Sequence, residues 1–109
     1  MNTVYLIGDK DRFGYYKIGV TRGNVNKRLK NLQTGNSGEL YVENTYETEN
    51  GFFIEKVLHN RLSHKQTLNE WFELDLEDVT NFKKTCQSIE TILESTKENH
   101  FIKKKYSKD

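Results

Sequence analysis

Two short runs of β-branched and apolar residues, separated by seven residues, most constrain what this chain can fold into. They cover residues 3–7 and 15–21, and the segment between them begins at Gly8 and ends at Gly14. Runs of this kind form strands, and a short segment bounded by glycines joins two strands into a hairpin. The pattern therefore predicts a β-hairpin with a loop of seven residues.

Apolar residues at intervals of three and four predict three helices farther along the chain. The first should follow the turn signal at residues 23–24, and the second should begin at Asn50. The third should start behind a cap formed by Asp75 and Asp78. The apolar positions are Val25, Leu29 and Leu32 in the first helix, Ile54, Val57, Leu58 and Leu62 in the second, and Val79, Phe82, Cys86, Ile89 and Leu93 in the third.

A third strand is predicted between the first two helices. Residues 39–47 alternate, with Leu40, Val42 and Tyr46 on one face, as in a strand with one exposed side. Residues 70–74 form a short aromatic segment that could lie against the edge of the sheet, and its pattern assigns no conformation.

Length and composition limit the class of protein. With 109 residues, the chain should form one small domain over residues 1–99, followed by a basic, flexible tail over residues 100–109. A core of this size leaves little room for an enclosed cofactor cavity. The single cysteine, Cys86, excludes an internal disulfide framework and indicates a reducing compartment. No run approaches the ~18 apolar residues that span a bilayer, so we expect a soluble, cytoplasmic protein.

Charge is segregated along the chain. Residues 1–35 carry a formal net charge of +5, residues 36–99 carry −7 and residues 100–109 carry +3. If the two positive blocks meet in space, one face can bind a polyanion such as DNA. The counts are equally compatible with charges scattered over the surface. The candidate nucleic-acid contacts are Arg22, Lys27 and Lys30 in the first block and Lys103, Lys104 and Lys105 in the tail.

Three side chains of the first block are unusual for a purely structural domain. Tyr5 lies in an aliphatic strand, Lys17 interrupts a second strand, and Arg28 borders the apolar stripe of the first helix. Each has an ordinary structural explanation: packing for the phenol, extension into solvent for the lysine, and a solvated helix face for the arginine. Together, however, an ammonium and a guanidinium group can clamp one phosphate.

Glu55 lies at the edge of the apolar stripe of the second helix, where a carboxylate requires a partner. His59 follows four residues later, so the two side chains share one helix face. The pair can hold a divalent cation or simply form a hydrogen bond at the helix surface. A zinc site is not expected, because His64 and Cys86 do not fall at ligand spacing, whereas Mg²⁺ with mostly water ligands needs one carboxylate.

The order of these features resembles the GIY-YIG nuclease superfamily over about residues 3–75. The individual motifs are most similar to a phage-rich branch of that superfamily. The matching segments are residues 3–7 at the first motif, residues 16–21 with Lys17-Ile18-Gly19 at the second, Arg28 with Leu29, Leu32 and Gly35 on the helix, Glu55 with His59, and residues 70–74, which read Glu-Trp-Phe-Glu-Leu.

The resemblance implies an α/β (α+β) module with a central three-stranded antiparallel sheet flanked by about three helices. It also implies a phage or mobile-element endonuclease that hydrolyses DNA phosphodiester bonds with one Mg²⁺ or Mn²⁺ ion. Tyr5 would act as the general base or orient the attacking water. Lys17 and Arg28 would bind the scissile phosphate, and Glu55 would hold the metal. His59 would support that carboxylate, orient the phosphate or act as a structural cap.

Some features depart from the family pattern or leave alternatives open. Lys17 stands where the superfamily name has a tyrosine, so a mechanism with two tyrosines cannot be carried over. The asparagine often found late in the family could be Asn60 or Asn69. An inactive nucleic-acid-binding or regulatory module on the same fold is the main alternative, and a protein-interaction domain is a third. Either cleavage is loosely specific, or a homodimer or a partner protein supplies specificity for the DNA target.

Deletion of residues 100–109 tests whether the basic tail contributes to DNA binding. If its lysines neutralise phosphates, the truncated chain should bind DNA more weakly. The slope of log affinity against log salt should then become shallower by about 0.9 for each phosphate that the tail had neutralised. Fluorescence anisotropy over a series of salt concentrations measures both quantities. An unchanged slope would exclude the tail from the DNA-binding surface.

Overall fold

The computed structural model describes residues 1–98, so the tail and its predicted contacts Lys103, Lys104 and Lys105 lie outside the described residues. The fold is mixed α+β, as predicted, with a four-stranded antiparallel sheet. The strands are β1 (Asn2–Asp9), β2 (Tyr15–Thr21), β3 (Leu40–Thr48) and β4 (Trp71–Glu73), and the helices are α1 (Val25–Gln33), α2 (Gly51–Arg61), α3 (Leu76–Thr80) and α4 (Phe82–Glu98).

The predicted hairpin is formed by β1 and β2, but its loop is shorter than expected. Strand β1 continues through Gly8 and Asp9, which pair with Tyr41 and Leu40 of β3. The ring of Tyr41 lies over Gly8, where a Cβ atom would come within 2.5 Å of Tyr41 Cζ. Gly8 is therefore a strand residue that makes room for a neighbouring ring, and the loop is confined to residues 10–14.

The sheet has one strand more than the three predicted from the sequence, and its strand order is β3-β1-β2-β4. Residues 71–73 of the aromatic segment form β4 and pair antiparallel with Tyr15, Tyr16 and Lys17 of β2. Three residues are too few to show an alternating pattern, which explains why the sequence assigned them no conformation. The short strand nevertheless places the aromatic segment at the edge of the sheet, as expected.

The prediction that Val42 and Tyr46 share a face of β3 was wrong, because a β-bulge interrupts the strand. The register against β1 shifts between Leu6 and Ile7, so that Ile7 pairs with Val42 while Leu6 pairs with Asn44. One extra residue in a strand moves every following side chain to the other face. Val42 consequently packs with Ile7 on one side of the sheet, and Tyr46 packs with Leu6 on the other.

Helices cover both faces of the sheet. Helix α1 lies on the face of Tyr5 and Ile7, and its predicted apolar residues Val25, Leu29 and Leu32 pack there. Helices α2, α3 and α4 supply the core on the opposite face, with Ile54, Leu58, Val79, Phe82, Cys86 and Ile89 all buried. Burial raises the pKa of the Cys86 thiol to about 12, so it packs as a small apolar group. Within residues 1–98, no helix is both long enough and apolar enough to cross a membrane.

The predicted third helix is divided into α3 and α4 at Asn81. Asp75 caps α3 as expected: its Oδ1 accepts a hydrogen bond from Asp78 N at 2.9 Å, and Asp78 Oδ2 accepts one from Asp75 N at 3.1 Å. Asn81 ends α3 with φ −94° and ψ 10°, and its carbonyl accepts the first hydrogen bond of α4 from Thr85 N at 2.8 Å. Asparagine favours such helix ends because its side chain competes for backbone hydrogen bonds.

The carboxylate of Glu90 fastens α4 to the end of β3. The hydroxyl of Tyr46 donates to Glu90 Oε1 at 2.6 Å, and the hydroxyl of Thr48 and the amide of Asn50 donate to Glu90 Oε2. Desolvation, and then the hydrogen bond to Glu90, raise the pKa of Tyr46 to about 12. This network joins the two elements without using any residue of the predicted site.

Replacement of Ile54 by alanine tests whether the core beneath α2 stabilises the fold. Ile54 is 0% exposed, so Ile54→Ala should lower the free energy of unfolding by about 2–5 kcal/mol through reduced burial and the cavity left behind. Ile92 on α4 is 57% exposed, and Ile92→Ala should change that free energy by less than about 0.5 kcal/mol. Urea unfolding followed by circular dichroism measures both. Equal effects would contradict this description of the core.

Candidate functional site

The alternation of β1 and β2 places Tyr5 and Lys17 on one face of the sheet. Tyr5 pairs with Gly19 and Lys17 pairs with Ile7, and residues two apart along a strand point to the same side. This is the face that α1 covers. The hydroxyl of Tyr5 there accepts a hydrogen bond from Nε of Arg28, on α1, at 3.2 Å. Two of the residues predicted from separate elements are thus in direct contact.

The position of the Tyr5 ring depends on a glycine in the neighbouring strand. A Cβ atom at Gly19 would lie 2.3 Å from Tyr5 Oη and 2.4 Å from Tyr5 Cζ, so the ring crosses the space that any side chain would occupy. The ring is deeply packed, and Tyr5 is 1% exposed. In the sequence, Gly19 was only part of a motif. The close approach of the phenol gives the physical reason why this position has no side chain.

Arg28 remains a cation in this setting. The hydrogen bond from its side chain to Tyr5, assisted by the nearby carboxylate of Glu70, raises the pKa of the guanidinium further above neutrality. Nε is occupied by the Tyr5 hydroxyl, whereas the two Nη groups have no side-chain hydrogen-bond partner among residues 1–98. The guanidinium is therefore held at one nitrogen and keeps the two others for a ligand.

Lys17 lies beside a carboxylate for which the sequence gave no role. Its Nζ is 3.6 Å from Glu70 Oε1 and 5.4 Å from the centre of the Trp71 ring. Glu70 directly precedes Trp71, the residue of β4 that pairs with Lys17, and this pairing brings the carboxylate to the lysine. The position of Glu70 directly before Trp71 and Phe72 was a sequence feature that pointed to it. Its proximity to Lys17 could be recognised only once β4 was known to pair with β2.

His59 connects α2 to strands β2 and β4. Its Nε2 lies 2.8 Å from the carbonyl oxygen of Ile18, and its ring packs edge-on against Phe72 with 4.8 Å between ring centres. A carbonyl oxygen accepts hydrogen bonds, so Nε2 carries the proton. The same Nε2 is 3.4 Å from Glu55 Oε2. His59 therefore anchors the helix and lies beside the Glu55 carboxylate.

Glu55 is a partly buried carboxylate whose charge is incompletely balanced. Burial raises its pKa, His59 opposes this shift, and the like charge of Glu70 adds to it. Because Glu70 also interacts electrostatically with Lys17 and Arg28, it lies within range of both the cationic residues and Glu55. A cation next to Glu55 would favour its ionised form.

The residues present suit a magnesium-type ion with a single protein carboxylate. Within the described part of the chain, no three His, Cys, Asp or Glu side chains are grouped to hold a metal ion. Mg²⁺ keeps several waters and prefers oxygen ligands, so one carboxylate and the oxygens of a bound phosphate can complete its coordination. A cation beside Glu55 would offset the burial that raises its pKa.

The remaining predicted residues lie outside this network of interactions. Arg22, Lys27 and Lys30 lie at the surface, and the Arg22 guanidinium stacks 5.1 Å from the centre of the Phe52 ring. Asn60 is exposed on α2, and Asn69 adopts φ 59° immediately before Glu70. Asparagine tolerates this left-handed conformation better than most residues, so Asn69 suits the turn that presents Glu70. Which asparagine matches the family position stays open.

Gly19→Ala tests the contact on which the site geometry depends. The added methyl group cannot coexist with the Tyr5 phenol, so the ring should move, its hydrogen bond to Arg28 should break, and the melting temperature should fall by several degrees. Gly35→Ala is the matched control, since a Cβ atom there meets nothing within 4 Å. Thermal unfolding measures the stability, and a crystal structure of the variant shows the ring. Equal melting temperatures for the two variants would contradict the description.

Comparison with known families matches the T5orf172 domain over residues 2–97, a range that includes every strand and helix of the fold up to the last turn of α4. This domain is phage-associated and is related to GIY-YIG-like and nuclease-like folds. Comparison with curated proteins and with solved structures gave no match. The matched range contains all the residues of the site described above. The chain belongs to the T5orf172 domain family.

Proposed function

We propose that this protein is a DNA endonuclease of the GIY-YIG type that hydrolyses phosphodiester bonds with one divalent metal ion. One observation carries the proposal: Arg28 is hydrogen-bonded to Tyr5, and the carboxylate of Glu70 interacts electrostatically with Arg28, with Lys17 and with Glu55. Glu70 thus links the predicted phosphate-binding residues and the phenol to the predicted metal-binding carboxylate. A structural domain does not require such a cluster of opposite charges. The residues are Tyr5 on β1, Lys17 on β2, Arg28 on α1 and Glu55 on α2.

Lys17 and Arg28 are proposed to bind the scissile phosphate. The free Nη groups of Arg28 form a fork that fits two phosphate oxygens, and Lys17 adds a second positive charge. In the chain without DNA, Glu70 stands beside Lys17 as the negative partner. A phosphate entering the site would take that place, and the two cations would then stabilise the negative charge that develops on its oxygens during attack.

The burial of Tyr5 sets a condition on its role. Its phenol is 1% exposed, and Arg28 is hydrogen-bonded to its oxygen. It can act as the base only as a phenolate, after the phenolic proton has passed to solvent, and only when DNA draws the guanidinium away so that the attacking water reaches the oxygen. If the guanidinium stays in place, Tyr5 acts through Arg28 as a positioning residue. The two roles predict different nicking rates for Tyr5→Phe.

Glu55 is proposed to hold Mg²⁺ or Mn²⁺, with His59 orienting the carboxylate. When bound, the ion supplies positive charge to the phosphoryl and leaving oxygens. Glu55 must be ionised to serve as a ligand, and its raised pKa means that protons compete at a higher pH than for an exposed glutamate. Metal binding should therefore release a proton at mildly acidic pH.

A second candidate function follows from the burial of Tyr5. A T5orf172 domain that binds DNA without cutting it would keep the surface cations Arg22, Lys27 and Lys30 and would have no need of an accessible phenol. Such a module would retain DNA in the absence of divalent metal and would produce no strand breaks. Binding and cleavage therefore have to be measured separately.

Nicking of supercoiled plasmid with Mg²⁺ or Mn²⁺ tests the endonuclease proposal. The wild-type chain should nick, and Arg28→Ala and Glu55→Gln should each lower the rate by about 100- to 1,000-fold, because each removes a group that handles charge in the transition state. Tyr5→Phe should reduce the rate to the same extent if the phenol is the base, and by about tenfold or less if it positions Arg28. Chelation of the metal should stop the reaction.

Glu47→Gln and Lys83→Ala are the matched controls, since both residues lie on the surface and outside the site. They should nick at the wild-type rate. Nicking by Glu55→Gln at that rate would contradict the proposed metal role. Metal-independent DNA binding by the wild-type chain, with no nicking under any metal condition, would overturn the endonuclease proposal and support the binding module.

A further inference from the structure

We propose that the loop between β1 and β2 is a second DNA contact beside the site, in which Phe13 stacks on a nucleobase and Arg12 contacts the phosphate backbone. This inference rests on the proposed function for its ligand, because the DNA held at Lys17 and Arg28 would continue along the loop. It concerns residues outside the predicted site, in a segment that the sequence identified as a connection between strands.

Phe13 presents an aromatic ring to solvent on a loop with a defined shape. It is 100% exposed, and hydrogen bonds fix the backbone on both sides of it. Arg12 N donates to the carbonyl of Asp9 at 3.0 Å, Tyr15 N donates to the carbonyl of Arg12 at 3.1 Å, and Leu74 N donates to the carbonyl of Gly14 at 2.9 Å. The backbone at Phe13 is thus held in place, so little backbone conformational entropy would be lost when a ligand covers the ring.

The base of the loop is fastened by Asp9, which is almost completely buried. Its Oδ1 accepts a hydrogen bond from Asp11 N at 2.8 Å, and its Oδ2 accepts one from Asn36 Nδ2 at 3.0 Å. Lys10 N also donates to the carbonyl of Glu39 at 2.9 Å. These hydrogen bonds tie the loop to the segment between α1 and β3, so the position of Phe13 is coupled to the framework that carries Arg28.

Arg12 connects the loop to the phosphate-binding residues. Its guanidinium carbon lies 4.5 Å from the centre of the Tyr15 ring and 5.1 Å from the centre of the Trp71 ring. Lys17 Nζ lies 5.4 Å from the centre of that same Trp71 ring. Because both groups lie near the same Trp71 ring, the distance between the Arg12 guanidinium carbon and Lys17 Nζ cannot exceed the sum of 5.1 Å and 5.4 Å. That sum is about the length of three base steps of B-DNA at ~3.4 Å each. One strand could reach both.

The chemistry of the loop fits DNA better than a protein partner. Residues 10–12 next to Phe13 are Lys, Asp and Arg, so the exposed ring is not part of a continuous apolar patch of the kind that protein interfaces bury. Nucleic acid offers what this loop can use: a base face for the ring and a phosphate for the guanidinium. Aromatic side chains stack on bases with little dependence on sequence, which suits a contact next to the cleaved bond.

Variants of the loop test the inference on DNA binding in the absence of metal, where no strand is cut. Phe13→Ala should weaken the affinity for a fluorescein-labelled duplex with a single-stranded overhang, whose unpaired bases expose their faces, by about 5- to 100-fold. The salt slope should stay unchanged, because a stacked ring contacts no phosphate. Phe13→Trp should retain the affinity. Arg12→Gln should lower the salt slope by about one. Ile92→Ala, which truncates an exposed apolar residue on α4, should bind as the wild type does.

A second readout detects the stacking itself. Duplexes that carry 2-aminopurine at successive positions should show a fluorescence change at one or two positions with the wild type and no change with Phe13→Ala. Nicking assays on the same proteins separate this inference from the proposed function. If the wild type nicks and Phe13→Ala has unaltered affinity and 2-aminopurine signals, the loop contact alone is overturned. If the wild type does not nick and Phe13→Ala loses affinity and the 2-aminopurine signal, the contact is supported and the catalytic proposal alone is overturned.

Discussion

The architecture of the site depends on one close approach, in which the phenol of Tyr5 lies across Gly19 of the adjacent strand. Because glycine leaves that space open, the ring reaches past β2, and its hydroxyl meets Arg28 on α1. This packing joins three elements and fixes the Arg28 guanidinium, whose other two nitrogens have no side-chain hydrogen-bond partner in the part of the chain that the structure describes. Burial of the phenol therefore orients the Arg28 guanidinium. Any larger residue at Gly19 would displace the phenol and break its hydrogen bond to Arg28.

The charged groups of the site interact with one another while no ligand is bound. Glu70 stands beside Lys17 and contributes to the field at Arg28, and its like charge makes ionisation of Glu55 less favourable. An anionic ligand at the cations and a cation at Glu55 would each replace one part of this arrangement. Under the proposed function, these interactions would favour binding of DNA and a divalent ion together.

The two faces of the sheet have different tasks. The face of α2, α3 and α4 carries the larger apolar core, whereas the face of α1 has a smaller cluster around Tyr5 and Trp71. Tyr5, Lys17 and Arg28 lie on the side of the smaller cluster, whereas Glu55 is carried by α2, which packs against the larger core. His59, also on α2, binds the carbonyl of Ile18 and packs against Phe72. The candidate residues are therefore contributed from both sides of the sheet.

The sequence by itself determined the hairpin, the helix that follows the turn at residues 23–24 and the helix capped at Asp75, and it supplied the candidate phosphate-binding and metal-binding residues. These depend on local patterns and on side-chain chemistry. Tertiary structure decided the bulge in β3, the added strand β4, the burial of Tyr5 and the approach of Glu70 to Lys17. Each of these results from interactions between residues far apart in the chain, whose geometry no local spacing specifies.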